Sequence, residues 1–171
     1  IDFWGKIIPK LGGTEIIAED LGGEDSPLVI KLLKQTGFPN MKVLQFAFPS
    51  DLQNKFLPRN YNKNCVCYTG THDNNTTNGW FSNATVHERD MFIKLTSASG
   101  MSEPAHKMIW LAMRSRAKIA IVPMQDWLCL DETGRMNTPG TPSGNWQWQM
   151  QDTVLSDELI DVISYLVAER K

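Results

Sequence analysis

Four short runs of apolar residues stand out along the chain, at positions 15–18, 41–48, 65–71 and 118–123. These runs are rich in Ile, Val, Phe and Tyr, and most of them do not alternate with polar residues. The pattern is typical of strands that are buried on both faces, because alternation disappears when neither face meets solvent. We therefore predict four strands of a parallel sheet.

Helix signals lie between and after these runs. Positions 26–27 (Ser-Pro) form an N-cap with proline at the first helical position, and Gly37 suits the end of that helix. A second helix is predicted over positions 102–116, and a third begins at the cap residue Ser156. The expected core positions are Met108, Leu111, Ala112 and Ser115 in the second helix and Leu159, Ile163, Leu166 and Val167 in the third.

Alternation of strands and helices predicts an α/β fold with right-handed crossovers. Three segments carry no strand or clear helix signal, at positions 49–64, 74–83 and 130–153. Each follows the end of a predicted strand. In parallel sheets and barrels this edge carries the active site, so we expect function to lie in these segments.

Charge and hydropathy narrow the range of partners. Of the 171 residues, 21% are charged and the formal net charge is −2, which gives no basic field for nucleic acid or an anionic membrane. No apolar run approaches the roughly 20 residues that a membrane span requires. The start also lacks the charged and apolar pattern of a signal peptide. We therefore expect neither nucleic acid nor a membrane as a partner.

Three cysteines are present: Cys65, Cys67 and Cys129. An odd number of cysteines, without the regular spacing of a disulfide framework, favours free thiols in a reducing compartment. We therefore expect a cytoplasmic location, or a plastid for a plant protein. Cys65 and Cys67 would share one face of a strand, but only one further cysteine exists to complete a metal site. We expect no metal.

Two carboxylates follow predicted strands. Glu19 comes directly after the first run, and Asp73 comes just after the third. Glycoside cleavage needs such carboxylates, because one group must protonate the departing oxygen while others stabilise an oxocarbenium-like state. Acidic residues at these places are also common as helix caps or loop residues, and position alone does not decide between the two interpretations.

Several longer motifs resemble those of 4-α-glucanotransferases, also called amylomaltases or disproportionating enzymes. Positions 16–22 (IIAEDLG) resemble the acid/base segment of that family, and positions 37–48 (GFPNMKVLQFAF) resemble its next strand. Positions 68–74 (YTGTHDN) resemble the segment with its third catalytic carboxylate. Positions 135–141 (RMNTPGT) and 145–148 (NWQW) resemble the loop after its last strand. The motifs occur in the family's order and cover nearly the whole chain.

The resemblance implies catalytic roles for two residues. Glu19 would be the general acid/base, and Asp73 would hold hydroxyls of the sugar being transferred. A retaining double displacement would then move an α-1,4-glucan segment to the 4-hydroxyl of another glucan or of glucose. No cofactor is implied.

It also implies a set of substrate-binding residues. His72 would donate to the same sugar as Asp73, although a lone histidine is otherwise more often structural. Asn74 adjoins the same motif, and Asn137 would lie in a substrate-side loop. Trp146 and Trp148 could stack on glucose faces, but a pair spaced by one residue is as often packing.

The family's nucleophile is an aspartate one strand before Glu19. Asp2 does not fit, because only 17 positions separate it from Glu19 and a βαβ unit takes about 30 residues. Positions 2–11 are predicted instead to be a helix. We therefore expect residues 1–171 to form strands five to eight of a (β/α)8 TIM barrel, with the nucleophile upstream of Ile1 and no activity in this chain alone.

The chain differs from the family pattern at two positions. Asn75 and Pro49 stand where the family tends to have aspartates, which would alter individual glucose subsites.

Two alternative functions are considered. The nearer alternative is a hydrolase or branching enzyme of the α-amylase group, and the loop at 135–141 argues against it. A non-catalytic glucan-binding relative is the other, and retention of Glu19 and Asp73 argues against it.

Overall fold

A computed structural model describes residues 2–23, 25–48, 52–151 and 154–170. The strands are β1 Asn40–Val43, β2 Cys65–Tyr68 and β3 Ile119–Ile121. The α-helices are α1 Asp2–Ile7, α2 Pro27–Thr36, α3 Thr77–Asn83, α4 Val86–Thr96, α5 Pro104–Met113, α6 Met124–Trp127 and α7 Asp157–Ala168. Short 3-10 turns are formed by Ile8–Lys10, Leu44–Ala47, Pro58–Asn60, Ser97–Ser99 and Glu132–Gly134.

The three strands form a parallel sheet in the order β1-β2-β3. Asn40 pairs with Cys65 in the first ladder, and Val66 pairs with Ile119 in the second. β1 and β2 are joined by a segment with two 3-10 turns, whereas α3, α4 and α5 lie between β2 and β3. A parallel sheet combined with helices confirms the α/β prediction. The carboxyl ends of all three strands therefore meet at one edge of the sheet.

The first apolar run, at positions 15–18, does not form a strand. Its contact with the sheet is a single parallel bridge from Ala18 to Asn40, with the Ala18 N–H donating to the Pro39 carbonyl at 2.9 Å. This run lies outside β1, and on its outer side the described residues supply no partner strand. One bridge is too little to define a ladder, so the strand prediction is wrong here.

β1 is also shorter than predicted. It ends at Val43, and Leu44–Ala47 continues as a 3-10 turn. With three residues per turn, Leu44 and Ala47 fall on the same side, where both are fully buried. The turn therefore keeps the core contacts that an extended strand would have split between two faces.

The predicted helices are largely confirmed. Residues 2–11 form α1 and its 3-10 extension. α2 begins at Pro27 and is followed by Gly37 at φ 69°, whose N–H donates to the Leu33 carbonyl. α5 ends at Met113, a turn earlier than expected, and Ser156 caps α7 by accepting from the Leu159 N–H.

Burial agrees with the predicted core except at one position. All four expected residues of the second helix are buried. In α7, Leu166 is buried and Leu159 and Ile163 pack against the cluster of Ile109, Met113 and Trp127, whereas Val167 is 49% exposed. The α7 stripe runs through Leu159, Val162 and Leu166, and Val167 lies beside it.

One face of the sheet is covered and the other is open. Helices α3, α4 and α5 cover the face that carries both β2 thiols, as their spacing predicts, and the cluster includes Leu44, Phe92 and Met108. The open side presents Ile17, Phe46 and Ile121, which are 39 to 42% exposed. Among the described helices, none combines the length and apolar character needed to cross a membrane.

Candidate active site

A cavity of about 660 Å³ opens at the carboxyl edge of the sheet, on its open side. It receives side chains from the segment before β1, from β1 itself and from the turns after β2 and β3. Both predicted carboxylates line it. Its polar lining includes Glu19, Tyr68, Thr71, His72, Asp73 and Asn74.

The neighbouring residue, Asp20, anchors Glu19. The Asp20 carboxylate is buried and accepts hydrogen bonds from the Met41 N–H at 3.0 Å and from Asn40 Nδ2 at 3.1 Å. Together with the Ala18 bridge, these bonds fix the backbone on both sides of Glu19, whose own side chain is exposed. Sequence reasoning missed Asp20, because nothing in the pattern distinguishes a buried anchor from a loop acid.

Tyr68, the last residue of β2, lines the same cavity as Glu19. The pKa of Tyr68 is raised, first because burial desolvates its hydroxyl and then because the Glu19 carboxylate lies nearby. A negative charge close to a phenol opposes its ionisation. Tyr68 therefore stays a hydrogen-bond donor beside Glu19.

A tight turn presents Asp73. The Asn74 side-chain oxygen accepts from the Thr71 N–H at 2.9 Å and from the Thr71 hydroxyl at 2.8 Å, and the Thr71 hydroxyl accepts from the Asp73 N–H at 3.3 Å. This closure turns the chain sharply after β2. Asn74 lines the cavity, but its side-chain oxygen is already used within the turn.

The Asp73 carboxylate is held by two of the predicted residues. Asn137 Nδ2 donates to Asp73 Oδ1 at 2.6 Å, and His72 Nε2 lies 3.4 Å from the same oxygen. The backbones are joined as well, because the Asn137 N–H donates to the His72 carbonyl at 3.0 Å. The adjacent residues His72 and Asp73 thus form one polar cluster with Asn137, which lies 64 positions after Asp73.

Trp146 completes the cluster. Its ring centroid lies 5.1 Å from that of His72 at an interplanar angle of 37°, and it is 60% exposed. Its backbone has φ 60°, and its N–H donates to the Met136 carbonyl at 2.7 Å. An exposed indole face in this position suits stacking on a sugar ring. Trp148 does not line the 660 Å³ cavity.

A second cavity, of about 160 Å³, is lined by His72 and Trp146 among others. Asp126 forms part of its wall and is a residue that sequence reasoning missed. Its carboxylate accepts from the Thr69 hydroxyl at 2.5 Å, from the Thr77 N–H at 2.7 Å and from the Thr77 hydroxyl at 2.9 Å. Burial raises the pKa of Asp126, and these hydrogen bonds oppose that shift.

Asn75, one of the two departures, packs inside the fold at this second cavity. Its side-chain oxygen accepts from the Thr76 N–H at 2.9 Å, and its carbonyl accepts from Gln45 Nε2 at 2.8 Å. A Cβ on Gly79 would lie only 2.5 Å from the Asn75 side-chain oxygen, so any larger residue there would displace the Asn75 side chain. Pro49, the other departure, lies outside the described residues.

The acidic and histidine side chains in the described ranges form no cluster of three or more that could hold a metal. Glu19 and the hydrogen-bonded Asp73 carboxylate line one cavity. A pair of carboxyl groups arranged in this way suits acid-assisted cleavage of an acetal.

Comparison with known proteins identifies the family. The family model of 4-alpha-glucanotransferase matches residues 2–155. A 4-alpha-glucanotransferase from Clostridium butyricum is 42% identical over 158 residues, which is 90% of this chain but 32% of that protein. A chloroplastic/amyloplastic 4-alpha-glucanotransferase from Solanum tuberosum is 44% identical over 155 residues, covering 90% of this chain and 26% of that protein.

A solved structure shows the same likeness in three dimensions. Amylomaltase from Streptococcus agalactiae, in complex with acarbose, matches with a TM-score of 0.88 and 34% identity over 95% of this chain and 33% of that one. The chain thus spans about a third of the length, or less, of these relatives. By sequence and by structure, it belongs to the 4-alpha-glucanotransferase family.

Proposed function

We propose that the whole protein to which this chain belongs is a 4-α-glucanotransferase. The observation that carries the proposal is the shared cavity, in which Glu19 and the Asp73 carboxylate face the same space at the carboxyl edge of a parallel sheet. The likeness to an amylomaltase whose structure contains acarbose supports a glucan ligand. In this proposal the Ala18 segment takes the place of strand five of a (β/α)8 barrel, and the three described strands are strands six to eight.

Glu19 acts as the general acid in the first step and as the general base in the second. An aspartate from outside this chain attacks the anomeric carbon while Glu19 protonates the leaving glucan oxygen, and a glucosyl-enzyme forms. Glu19 then removes the proton of the acceptor 4-hydroxyl, which gives retention overall. The exposed position of Glu19 between two anchored residues suits a group that must meet both leaving and entering hydroxyls.

Asp73 and its neighbours bind the transferred sugar. The Asp73 oxygen not bonded to Asn137 is available to accept from sugar hydroxyls, and His72 and Asn137 keep the carboxylate oriented. Asn74 lines the cavity, and Trp146 offers an aromatic face next to His72, in the lining of the smaller cavity. The substrates are α-1,4-glucans, with a glucan or glucose as acceptor, and the mechanism uses no metal or organic cofactor. A cytoplasmic or plastid location stays a prediction.

The test is a comparison of two donors in the whole enzyme. Glu19→Gln keeps the shape of the side chain but cannot transfer a proton, so glucosyl-enzyme formation from maltotriose should fall by about 10²–10⁴-fold. The fall should be much smaller with α-glucosyl fluoride, because fluoride leaves without a proton. Asp73→Asn should slow both donors, since Asp73 contacts the sugar and not the leaving group.

Glu15→Gln is the matched control. Glu15 lies four positions earlier, pairs with Lys118 at 3.0 Å and does not line the cavity, so its replacement should change neither rate. Equal loss on both donors for Glu19→Gln would show that Glu19 is not the acid. Hydrolysis without transfer to added glucose would favour the hydrolase, and full activity of both variants would exclude these residues from catalysis.

A further inference from the structure

We propose that Arg135 is a positioning residue for the Asp73 carboxylate, acting through Asn137. The proposal rests on the proposed function in taking Asp73 as a carboxylate that contacts the sugar. One guanidinium bridges two loops, because Arg135 Nη2 donates to the Asp73 carbonyl at 2.8 Å and Arg135 Nε donates to the Asn137 carbonyl at 2.9 Å.

The bridge fixes the loop after β3 against the turn after β2. Without the Arg135 bridge, two hydrogen bonds would hold these two loops together. They are the bond from the Asn137 backbone N–H to the His72 carbonyl and the bond from the Asn137 side-chain amide to Asp73 Oδ1. Asp73 is exposed, so water competes for its carboxylate, and neither residue lies in a helix or strand that would restrict its backbone. Fixing both carbonyls therefore restricts the Asn137 amide to the vicinity of Oδ1.

The positive charge of Arg135 strengthens its hydrogen bonds to the two backbone carbonyls. Within the described ranges Arg135 forms no ion pair, and its two side-chain hydrogen bonds go to backbone carbonyls that flank the Asn137–Asp73 contact. Hydrogen bonds from a charged donor are about twice as strong as neutral ones. The planar guanidinium reaches two acceptors at once, whereas a lysine ammonium is a single point on a flexible stem and holds no fixed fork.

The experiment is a double-mutant cycle in the whole enzyme. The variants are Arg135→Ala, Asn137→Ala and the pair, and the readout is the rate constant of glucosyl-enzyme formation from α-glucosyl fluoride. Arg135→Ala should lower that rate constant by about 10²-fold, the cost of a misplacement near 1 Å. In the Asn137→Ala background the same change should cost less than about threefold, because the residue through which Arg135 acts is gone. Arg135→Lys should not restore the rate.

Arg170→Ala is the matched control, because Arg170 Nη2 also donates to a backbone carbonyl, that of Ala117, at the opposite edge of the sheet. This variant should lower the melting temperature and leave the rate constant unchanged, whereas Arg135→Ala should lower the rate constant with a smaller thermal effect. If circular dichroism shows that Arg135→Ala is unfolded, Arg135→Gln, which keeps one donor, replaces it in the cycle.

Two results would overturn the proposal. One is an unchanged rate constant in Arg135→Ala. The other is a cycle in which the two losses multiply, since that would show Arg135 and Asn137 acting independently. Failure of the proposed function is recognised separately, because Asp73→Asn would then leave the rate from the same donor intact.

Discussion

Asp126 places a carboxylate where only 1% of the residue's surface meets solvent. Three donors from Thr69 and Thr77 converge on it, so the end of β2, the start of α3 and α6 meet at this one side chain. A buried charge persists only when its hydrogen bonds are satisfied. The residue therefore ties together the elements from which the Asp73 turn emerges.

Two substitutions of Asp126 should distinguish the contribution of its hydrogen bonds to stability from the contribution of its charge. Asp126→Ala leaves two hydroxyls and one N–H without their acceptor and should lower the free energy of unfolding by about 2–4 kcal/mol. Asp126→Asn keeps the shape and an acceptor for the Thr77 N–H, so its cost at neutral pH should be clearly smaller. Thermal or denaturant unfolding of the whole protein measures both.

The pH dependence gives a second readout of the same residue. Because burial raises the Asp126 pKa above 3.8, the folded protein holds this proton to higher pH than the unfolded chain. This residue's contribution to stability therefore falls as pH rises from 3.8 through the raised pKa, and Asp126→Asn should lack that fall. An identical pH profile in the two proteins would contradict the assignment.

At the scale of elements, α4 has a cap that is visible in the sequence. Thr85 Oγ1 accepts from the Glu88 N–H at 3.3 Å, and the Glu88 carboxylate accepts from the Thr85 N–H at 2.7 Å, which together form a capping box. Both bonds involve exposed groups, and Thr85 lowers the pKa of Glu88. α4 in turn supplies Phe92, which packs beneath the sheet against Phe48 and Trp80.

Loss of the cap should be local. Thr85→Ala should destabilise α4 by about 1 kcal/mol, which corresponds to roughly fivefold faster hydrogen exchange in amides that open with that helix. Ser82→Ala, at an exposed hydroxyl of α3, is the control and should leave exchange in α4 unchanged. If hydrogen exchange of the α4 amides were unchanged in the Thr85→Ala variant, then tertiary packing and not the cap would limit the opening of this helix.

The elements also show what the sequence could and could not reveal. α2, α5 and α7 were predictable because each combines a cap or proline with regular apolar spacing. α3 and α4 were missed although the Thr85–Glu88 pair was there to be found, because their apolar residues follow no clear stripe. The run at 15–18 was predicted as a strand because composition cannot show whether a neighbouring strand is available to pair with it.

Similar reasoning applies to the site. Glu19, His72, Asp73 and Asn137 were predicted from motifs. The structure brings the first three to one cavity, and Asn137 donates to the Asp73 carboxylate. Trp146 lies against His72 in the lining of the smaller cavity. Asp20, Asp126 and Arg135 were missed, because their importance lies in partners 20 to 62 positions away. Long-range hydrogen bonds leave no periodic signal in a single sequence.

At the scale of the whole molecule, the sheet has one covered and one open face. Ile17, Phe46 and Ile121 lie on the open side, and the chain spans about a third of the Clostridium butyricum relative's length. In a closed barrel such residues meet a partner layer of side chains. The rest of the protein therefore supplies both this layer and the nucleophile in the mechanism we propose.

Residues 1–171 alone should accordingly show no transfer activity and low stability. Incubation of the isolated chain with maltotriose should release no glucose and form no longer maltodextrins, and its thermal transition should be broad or absent. Co-expression with the remaining part of the protein is the control, and should restore the ladder of products if the two parts associate. A ladder from the isolated chain would show that the nucleophile lies within it.

The contact between Asn137 and Asp73 joins residues 64 positions apart. A ribosome adds about 5–20 residues per second, so the Asp73 turn is synthesised roughly 3–13 s before the asparagine that holds its carboxylate. Trp146 and the Arg135 bridge belong to the same late segment. During synthesis, the Asp73 turn therefore exists for seconds before its hydrogen-bond partners are made. A nascent polypeptide stalled before position 135 would contain Glu19 and Asp73 but not the residues that orient the Asp73 carboxylate.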